Sequence, residues 1–562
     1  MLNPARLRWV ALTLSAWAGV AALRLVQVQV LEHQAWESGS ARQREHPFEV
    51  DEPRGDIVSR DGRVLAGSLE RVAVYANPRK IPREAWGGLA AHLAPLVGQP
   101  ASDVLAQFRN HDGFFYLARD LDPQITDAVA KLRQRAVGTI RTELRVYPHG
   151  PLAGPVVGYI NADGNGQAGL EGFYDRTLRG VPSVYRALRD GKTSPTFIDS
   201  RLVTRGRPGQ SLAITLDSRV QEVVEQELTR TITETGAKGA SAVVLDPRTG
   251  ELLAVASLPT YDPGHLGQFA SEDRRNRAVE DALEPGSTFK PFIVAAAMTA
   301  GVLAPSEMVD CSGGGVMIAN VFIHDHARFG LLPVREVLAK SSNTGAIRIA
   351  YRVEPAQLDD TIRQFGFGQA TRVELPAETR GIYRGPQSWS ALSRAGLAIG
   401  QEISATPLQL AQAYAAIANG GVLVHPRLVL ETRDRAGRVV TPYQPQPGVR
   451  VLPADVAARL ASMLEAVVEE GTGKAADVPG YRVAGKTGTA QRAYSGSYSA
   501  GRHVAWFAGF LPMPSPSLAI VVCVDEPVRS YWAADVAAPA FGRIATRTVL
   551  LLGLEPTSGA RI

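Results

Sequence analysis

The sequence predicts an α/β protein in which a sheet covered by helices follows one membrane-spanning segment. Three observations lead to this fold class. An apolar stretch near the N-terminus is long enough to cross a bilayer. Residues from about 45 to 205 mix short β-like runs with turns and one helical stretch, and residues 209 to 555 carry strands at both ends with helices between them. Strands that flank a helical middle are typical of a single sheet covered by helices.

The composition excludes several classes of protein. Of the 562 residues, 45% are hydrophobic and 20% are charged, which argues against a disordered chain or a multi-span membrane protein. The net charge of +5 comes from interspersed charges, so nucleic acid is not indicated as a partner. Cys311 and Cys523 lie far apart without metal-ligand spacing, and we therefore expect two unpaired thiols and no metal site.

Residues 9 to 31 form the predicted membrane anchor. Arg24 lies inside this apolar stretch, where it either snorkels to the interface or faces another membrane helix. Arg6 and Arg8 precede the stretch, so the positive-inside rule makes residues 1 to 8 a short cytoplasmic tail and places the rest of the chain outside. A cleaved signal peptide is the alternative, but the apolar pattern continues past the nearest Ala-x-Ala sequence.

Residues 45 to 205 form a predicted non-catalytic domain. The runs Val72–Tyr75 and Val156–Ile160 read as strands and Pro123–Leu132 as a helix, and nothing in this region has catalytic spacing. The stretch from 204 to 210 (TRGRPGQ) is dense in turn formers. The domain boundary is placed there, and the second domain covers residues 209 to 555.

The second domain begins with strand and helix signals. Val220–Leu228 has helical spacing, and the runs Ala242–Leu245 and Leu252–Ser257 read as an antiparallel hairpin. Val504–Leu511 and Leu518–Val524 are the late strands.

Ser287 and Lys290 are the first candidate pair. They lie at the start of a predicted helix, and residues three apart are neighbours on one helix face. A serine hydroxyl needs a base to become a nucleophile, and a desolvated lysine can be neutral enough to serve. Only eight of the 60 basic residues are lysines, and only Lys290 has a serine three positions before it. Plain helix capping by Ser287 is the alternative interpretation.

Two further stretches carry candidate site residues. Ser341 and Asn343 lie in a predicted turn between helices, where a hydroxyl can relay protons and an amide can bind a peptide group; a capped polar turn is the alternative.

Lys486-Thr487-Gly488-Thr489 follows an alternating stretch. On a strand that lines a cleft, its lysine and first threonine would bind a carboxylate, its glycine would allow a close approach, and the Thr489 N–H would face an oxyanion. A hairpin turn is the alternative.

The set Ser-x-x-Lys, Ser-x-Asn and Lys-Thr-Gly, in this order within one predicted domain, resembles that of penicillin-binding proteins and serine β-lactamases. The stretches 54 to 66 (RGDIVSRDGRVLA) and 169 to 180 (GLEGFYDRTLRG) are similar to class B penicillin-binding proteins, except that Ser59 stands where an aspartate is common. Tyr147-Pro148, Lys340 before Ser341 and the tail from Tyr531 to Phe541 resemble the cell-division (FtsI) type. An elongation or sporulation type is the alternative.

The resemblance implies a fold and a mechanism. The fold would be a transpeptidase domain with a mainly antiparallel sheet, preceded by an elongated α+β pedestal domain and the anchor. Ser287 would attack the bond between two D-alanines of a peptidoglycan stem peptide, with Lys290 in contact with its oxygen as the base. Ser341 would pass the proton to the leaving amine and Asn343 would hold the peptide. Lys486 with Thr487 would bind the terminal carboxylate, and the N–H groups of Ser287 and Thr489 would bind the oxyanion.

The resemblance also implies partners and location. Expected partners are peptidoglycan stem peptides, β-lactams, a polytopic FtsW-like glycosyltransferase and other division proteins, and no cofactor is expected. The chain would be anchored once in the cytoplasmic membrane, with its bulk on the outer side. A carboxypeptidase, a β-lactamase and a division scaffold without turnover are the rival functions. A penicillin sensor would need a cytoplasmic output domain, for which the eight residues before the anchor are too few.

Overall fold

The computed structural model describes residues 4–31, 45–188, 201–494 and 497–557. Near the N-terminus an α-helix, Pro4–Val26, continues as a π-helix, Gln27–Leu31. The part from Arg8 to Gln29 is long and apolar enough to cross a membrane, and none of it is buried against the rest of the protein. Its large apolar side chains are exposed, as expected of a helix whose surroundings are lipid. Within the described residues this is the one helix that meets both criteria, and it fits the anchor predicted at residues 9 to 31.

The chain forms two compact units that are interleaved along the sequence. The first comprises residues 1–53, 68–144 and 180–209, and the second comprises residues 54–67, 145–179 and 210–562. The domain limits of 45 to 205 and 209 to 555 stay predictions.

Besides the N-terminal helix, the described part of the first unit contains strands of two sheets and three α-helices. In one sheet the strand Val64–Ala76 pairs from Val72 onward with Phe115–Leu121, and it also pairs with Val137–Val146. The helices are Trp86–Val97, Ala101–Asn110 and Ile125–Lys131, and they bury Leu93, Val104 and Phe108 against this sheet. The other sheet joins the strands Glu45–Val50, Ser183–Leu188 and Arg201–Thr204. The strand and helix predicted at Val72–Tyr75 and Pro123–Leu132 are confirmed.

The strand predicted at Val156–Ile160 is wrong. Residues Gly154–Val157 form a short helix within the second unit, with Pro155 in its first turn. Proline is favoured there because its missing N–H has no helical partner to lose. Gly158 follows with φ at +78° and ends the helix. An apolar run this short does not distinguish strand from buried helix by periodicity alone.

A five-stranded antiparallel sheet organises the second unit. Its strand order is Leu252–Leu258, Gly239–Leu245, Leu518–Asp525, Ser497–Leu511 and Ala484–Tyr494. Every residue of Gly239–Leu245 and Leu518–Asp525 is buried, because helices cover both faces of the sheet. Val243 and Leu245 belong to one core, and Ala242 and Val244 belong to the other. The predicted hairpin, late strands and α/β fold class are confirmed.

Helices of the second unit pack in two layers. Ser218–Thr235 and Ala537–Leu551 cover one face, and Lys290–Thr299, Pro407–Ala418 and Ala454–Glu469 lie in the core on the other. Further helices are Gly169–Phe173, Asp175–Arg179, Arg277–Glu280, Val334–Ala339, Asn343–Ala350, Pro355–Gln364 and Ser393–Ala398. The remaining strands are Ile57–Val58, Ser211–Ile214, Met308–Asp310, Gly315–Ile318, Val321–His324, Leu331–Pro333, Val422–Leu423, Val429–Arg433, Val439–Pro442 and Val449–Arg450.

Candidate active site

Ser287 lies in a tight turn that leads into an almost completely buried helix of the second unit. Gly286–Phe289 form a 3₁₀ turn, and the helix Lys290–Thr299 follows, buried from Lys290 to Met298. A helix that is buried on all sides is fixed by the core around it. Ser287 is half-buried and Lys290 fully buried. The predicted nucleophile is therefore presented at the surface end of a rigid element.

Hydrogen bonds hold the nucleophile turn from two sides. Gly286 N donates to Gly400 O at 3.1 Å, and Trp506 Nε1 donates to Glu284 O at 3.0 Å. Gly286 and Gly400 have φ of +55° and +76°, a region that favours glycine. A Cβ atom on Gly400 would lie 1.9 Å from Gly286 O. The turn is thus clamped between the loop after helix Ser393–Ala398 and the central sheet.

The amine of Lys290 is held by the Ser341 turn. Lys290 Nζ donates to Ser341 O at 2.6 Å, to Asn343 Oδ1 at 2.7 Å and more weakly to Ser341 Oγ at 3.4 Å. Among the described residues no hydrogen bond joins this amine to Ser287 Oγ. Catalytic hydrogen bonds are often long in the absence of substrate, so this geometry does not rule the pair out. Burial lowers the pKa of Lys290 to about 7, although the negative charge of Asp325 opposes the shift.

Ser341 lies between two amines. It occupies the turn between the helices Val334–Ala339 and Asn343–Ala350, with φ at +58°. Its hydroxyl accepts from Lys486 Nζ at 2.9 Å, in addition to the weaker contact with Lys290. A serine hydroxyl can both accept and donate a hydrogen bond. Ser341 can therefore relay a proton between a lysine amine and a group that this amine does not contact.

Lys486 projects from the edge strand of the five-stranded sheet. It is fully buried, and burial together with the neighbouring Lys290 ammonium lowers its pKa well below the usual range. Lys486 Nζ also donates to Thr487 O at 3.1 Å. Gly488 lies against the nucleophile turn, where a Cβ atom would be 2.5 Å from Pro285 O. Only glycine allows this strand to approach the turn so closely.

The structure brings the three predicted stretches into one site. Ser341 contacts both lysines, and Gly488 packs on the turn that carries Ser287. The side chains of Asn343 and Thr489 also have partners within the protein. The Asn343 amide is already bonded to Lys290 and, through Nδ2, to His324 O at 2.8 Å. Thr489 Oγ1 accepts from Ala533 N at 3.0 Å. The roles in peptide and oxyanion binding stay predictions.

Sequence reasoning missed two residues that support the site. Asp325 accepts hydrogen bonds from Ser342 Oγ at 2.9 Å, from Asn343 N and from Thr344 N at 3.3 Å. Thr472 Oγ1 lies 2.6 Å from Thr487 Oγ1. Asp325 is 17 residues from Ser342 along the chain, and Thr472 is 15 residues from Thr487, so no local pattern marks either residue.

Family models match both parts of the chain. Residues 240–546 match the penicillin binding protein transpeptidase domain, and residues 49–213 match the penicillin-binding protein dimerisation domain. The chain is 33% identical to the peptidoglycan D,D-transpeptidase FtsI of Escherichia coli K12 over 90% of this chain and 85% of that protein. It is 35% identical to the penicillin-binding protein PbpB of Mycobacterium tuberculosis, covering 94% and 82% of the two chains.

A solved structure resembles most of the chain. Penicillin-binding protein 3 of Mycobacterium tuberculosis in complex with aztreonam superposes with a TM-score of 0.71 and 31% identity, and the match covers 92% of this chain and 99% of that one. The match includes the fold that carries the site. This chain belongs to the class B penicillin-binding proteins, with an N-terminal apolar helix, a dimerisation domain and a transpeptidase domain.

Proposed function

We propose that this protein is a peptidoglycan D,D-transpeptidase that crosslinks stem peptides through an acyl-enzyme on Ser287. The observation that carries the proposal is the position of Ser341 Oγ between the amines of Lys290 and Lys486, beside the turn of Ser287. This arrangement supplies a nucleophile, a base of lowered pKa and a proton relay in one site. The names of the relatives, which include a D,D-transpeptidase, support the substrate class.

The first half of the reaction forms an ester. Ser287 Oγ attacks the carbonyl carbon between the two D-alanines, and its proton passes to Lys290. The N–H groups of Ser287 and Thr489 hold the oxyanion, and one such donor is worth about 3 to 4 kcal/mol in other enzymes. The peptide bond then breaks, and the terminal D-alanine leaves with a proton delivered through Ser341.

The second half forms the crosslink. A primary amine of a neighbouring strand attacks the ester carbonyl, a new amide bond forms, and the bond from carbon to Ser287 Oγ breaks. The acceptor amine loses a proton, which returns through Lys290 to Ser287. Lys486 and Thr487 hold the donor carboxylate before it leaves, and Asn343 holds the donor peptide. A β-lactam follows the first half only and leaves Ser287 acylated.

Product analysis tests this assignment. Purified full-length protein is incubated with peptidoglycan strands that carry pentapeptide stems, and the products are separated and weighed by mass spectrometry. The proposal predicts crosslinked dimers with loss of one D-alanine per crosslink. Trimmed monomers without dimers would identify a carboxypeptidase instead. Complementation of a depletion strain by Ser287→Ala would identify a scaffold that needs no turnover.

The N-terminal helix supports a location and a partner. We infer that residues 1 to 8 lie in the cytoplasm and that the bulk of the chain lies on the outer side of the inner membrane, because Arg6 and Arg8 precede the span. A membrane-impermeant thiol reagent should label a cysteine introduced at an exposed site beyond residue 45 in intact spheroplasts, and should not label one introduced before Arg8. The reverse pattern would overturn the orientation.

Arg24 supports the partner. Its Nη1 donates to Gln27 Oε1 at 2.8 Å within the apolar helix, and polar groups in a membrane helix commonly face another protein. We infer a polytopic FtsW-like glycosyltransferase and other division proteins as partners in septal wall synthesis. A photocrosslinker at position 24 should capture such a protein, and a fluorescent fusion should localise to the septum. Sidewall localisation would favour an elongation role.

A further inference from the structure

Thr472 connects the two stretches that carry the proposed proton relay and carboxylate site. It follows the helix Ala454–Glu469, and its main-chain N–H donates to Ala339 O at 3.1 Å, just before the Ser341 turn. Its hydroxyl lies 2.6 Å from the hydroxyl of Thr487. A Cβ atom on the preceding residue, Gly471, would lie 2.2 Å from Ala339 O, so the backbone here is pressed against the helix end. Thr472 is therefore held in place independently of its hydroxyl.

The short distance between the two hydroxyls means that one donates to the other. Each threonine hydroxyl has one proton and can accept two hydrogen bonds. When Thr487 donates to Thr472, its only proton is used within the protein. When Thr472 donates to Thr487, the Thr487 proton is free to point into the site, and Thr487 Oγ1 can still accept the weak contact from Lys486 Nζ at 3.4 Å.

An incoming carboxylate favours the arrangement in which Thr472 donates to Thr487 and the Thr487 proton points into the site. A carboxylate only accepts hydrogen bonds, and bonds to a charged acceptor are stronger than neutral ones. Thr487 is only 6% exposed, so solvent competes poorly for its proton. Lys486 is fully buried beside Lys290, and its positive charge is costly there; a second donor at Thr487 matters more for that reason.

We propose that Thr472 is a positioning residue for carboxylate recognition: its hydroxyl donates to Thr487 and thereby turns the Thr487 proton toward the carboxylate of the substrate or β-lactam. This inference rests on the proposed function of the site. Thr472 itself does not touch the substrate.

Paired β-lactams test the inference. One compound carries the free carboxylate of a penicillin, and the other is its methyl ester. Second-order acylation rates are measured with the full-length wild type, Thr472→Val, Thr472→Ser and Thr487→Val. Thr472→Val keeps the side-chain shape and the main-chain bond to Ala339 but removes the hydroxyl, and Thr472→Ser keeps the hydroxyl.

Thr472→Val removes a hydrogen bond between two neutral hydroxyls, and loss of one such bond corresponds to a rate decrease of roughly fivefold. We expect Thr472→Val to lower acylation by the penicillin by about this factor, to leave acylation by the ester within twofold of wild type, and to be rescued by Thr472→Ser. The double variant with Thr487→Val should be no slower than Thr487→Val alone, since the two residues act through one bond.

Several results would overturn the inference. Equal losses with both compounds would mean general distortion of the site, and no loss with the penicillin would mean that the hydroxyl pair is irrelevant. If Thr472→Val does not fold, as judged by thermal unfolding, Thr472→Ala is measured in its place with the same expected discrimination. Failure of the wild type to react with either compound would instead contradict the proposed function, which separates the two conclusions.

Discussion

At the scale of single residues, the site depends on two buried amines that share one hydroxyl. Lys290 and Lys486 are both fully buried, and Ser341 Oγ accepts from each. Two ammonium groups in so small a space repel each other, and burial penalises both charges. One amine is therefore easily deprotonated, which is what a base for Ser287 requires.

The lowered pKa of Lys290 predicts how the rate depends on pH. Lys290 can accept the Ser287 proton only when it is neutral, and its neutral fraction rises as pH passes through about 7. The second-order rate of acylation by a penicillin should therefore increase from pH 5.5 to 8 with a midpoint near 7. A rate that stays constant or falls over this range would contradict the assignment of Lys290 as the base.

The charge of Asp325 should affect the midpoint of the pH–rate profile. Its carboxylate favours the charged form of Lys290, so Asp325→Asn should move the midpoint of the pH–rate profile to lower pH. It should also destabilise the protein by about 1.5 to 3 kcal/mol, because the hydrogen bonds from Ser342 and Asn343 lose a charged acceptor.

Asp310→Asn is the matched control for Asp325. Asp310 pairs with Arg348, which lies on the same helix as Asn343, and within the described residues no hydrogen bond or ion pair joins Asp310 to either lysine. Its replacement should leave the midpoint unchanged. Equal midpoints for wild type and Asp325→Asn would show that the Asp325 charge does not reach Lys290.

At the scale of secondary-structure elements, the nucleophile turn depends on the loop that carries Gly400. Gly400 O accepts from Gly286 N, and Leu283 and Ala405 exchange two backbone hydrogen bonds at 3.0 and 2.9 Å. The strand of Gly488 closes the other side of the turn. Together with the bond from the Trp506 side chain to Glu284 O, these backbone contacts fix the position of Ser287, and no sequence motif reveals them.

Gly400→Ala tests this clamp. The substitution forces alanine to a positive φ, which costs about 1 to 2 kcal/mol, and adds a clash with Gly286 O that costs a further 1 to 3 kcal/mol or displaces the turn. We expect a severe loss of penicillin acylation together with reduced stability in urea unfolding.

Gly437→Ala is the control for Gly400→Ala. Gly437 has φ of +79°, but a Cβ atom there has no neighbour within 4 Å. Gly437→Ala should therefore lower the free energy of unfolding only by the backbone term of about 1 to 2 kcal/mol, and penicillin should acylate this variant at the wild-type rate. Similar acylation rates for the two variants would show that the clamp does not position Ser287.

At the scale of the whole molecule, the second unit is assembled from three separate stretches of chain. Glu171 is fully buried between Arg54 and Arg145, each at 2.7 Å, and Arg54 also pairs with Asp175 at 2.8 Å. Arg54 lies in the stretch 54–67, and the other three residues lie in the stretch 145–179. Residues 68–144, which separate these stretches in the sequence, belong to the first unit. The buried ion pairs hold the interleaved stretches together.

Glu171→Gln should therefore destabilise the second unit strongly. Breaking a buried ion pair leaves uncompensated charge, here on two guanidinium groups, at a cost of about 3 to 5 kcal/mol. Denaturant unfolding measures this change. Glu470→Gln, at an exposed pair with Arg335, should have no measurable effect. Equal stability of the two variants would contradict a structural role for the Glu171 cluster.

Sequence patterns predicted the sheet and the motifs well because these features are local. The continuous apolar run of the strand Leu518–Asp525 and the spacing of Ser287 and Lys290 are visible within one segment. The run at Val156–Ile160 was misassigned because a short apolar run fits a buried helix equally well. Thr472 and Asp325 could not be found, since their partners are chosen by the fold and not by neighbours in sequence.

Covalent labelling of Ser287 tests the central claim most directly. Full-length wild type and Ser287→Ala are incubated with a fluorescent penicillin, separated under denaturing conditions and digested for peptide mass mapping. We predict a stable adduct of one penicillin on Ser287 in the wild type and no covalent label on Ser287→Ala. A covalent label that persists on Ser287→Ala, or a wild-type adduct on any other residue, would contradict the assignment of Ser287 as the nucleophile.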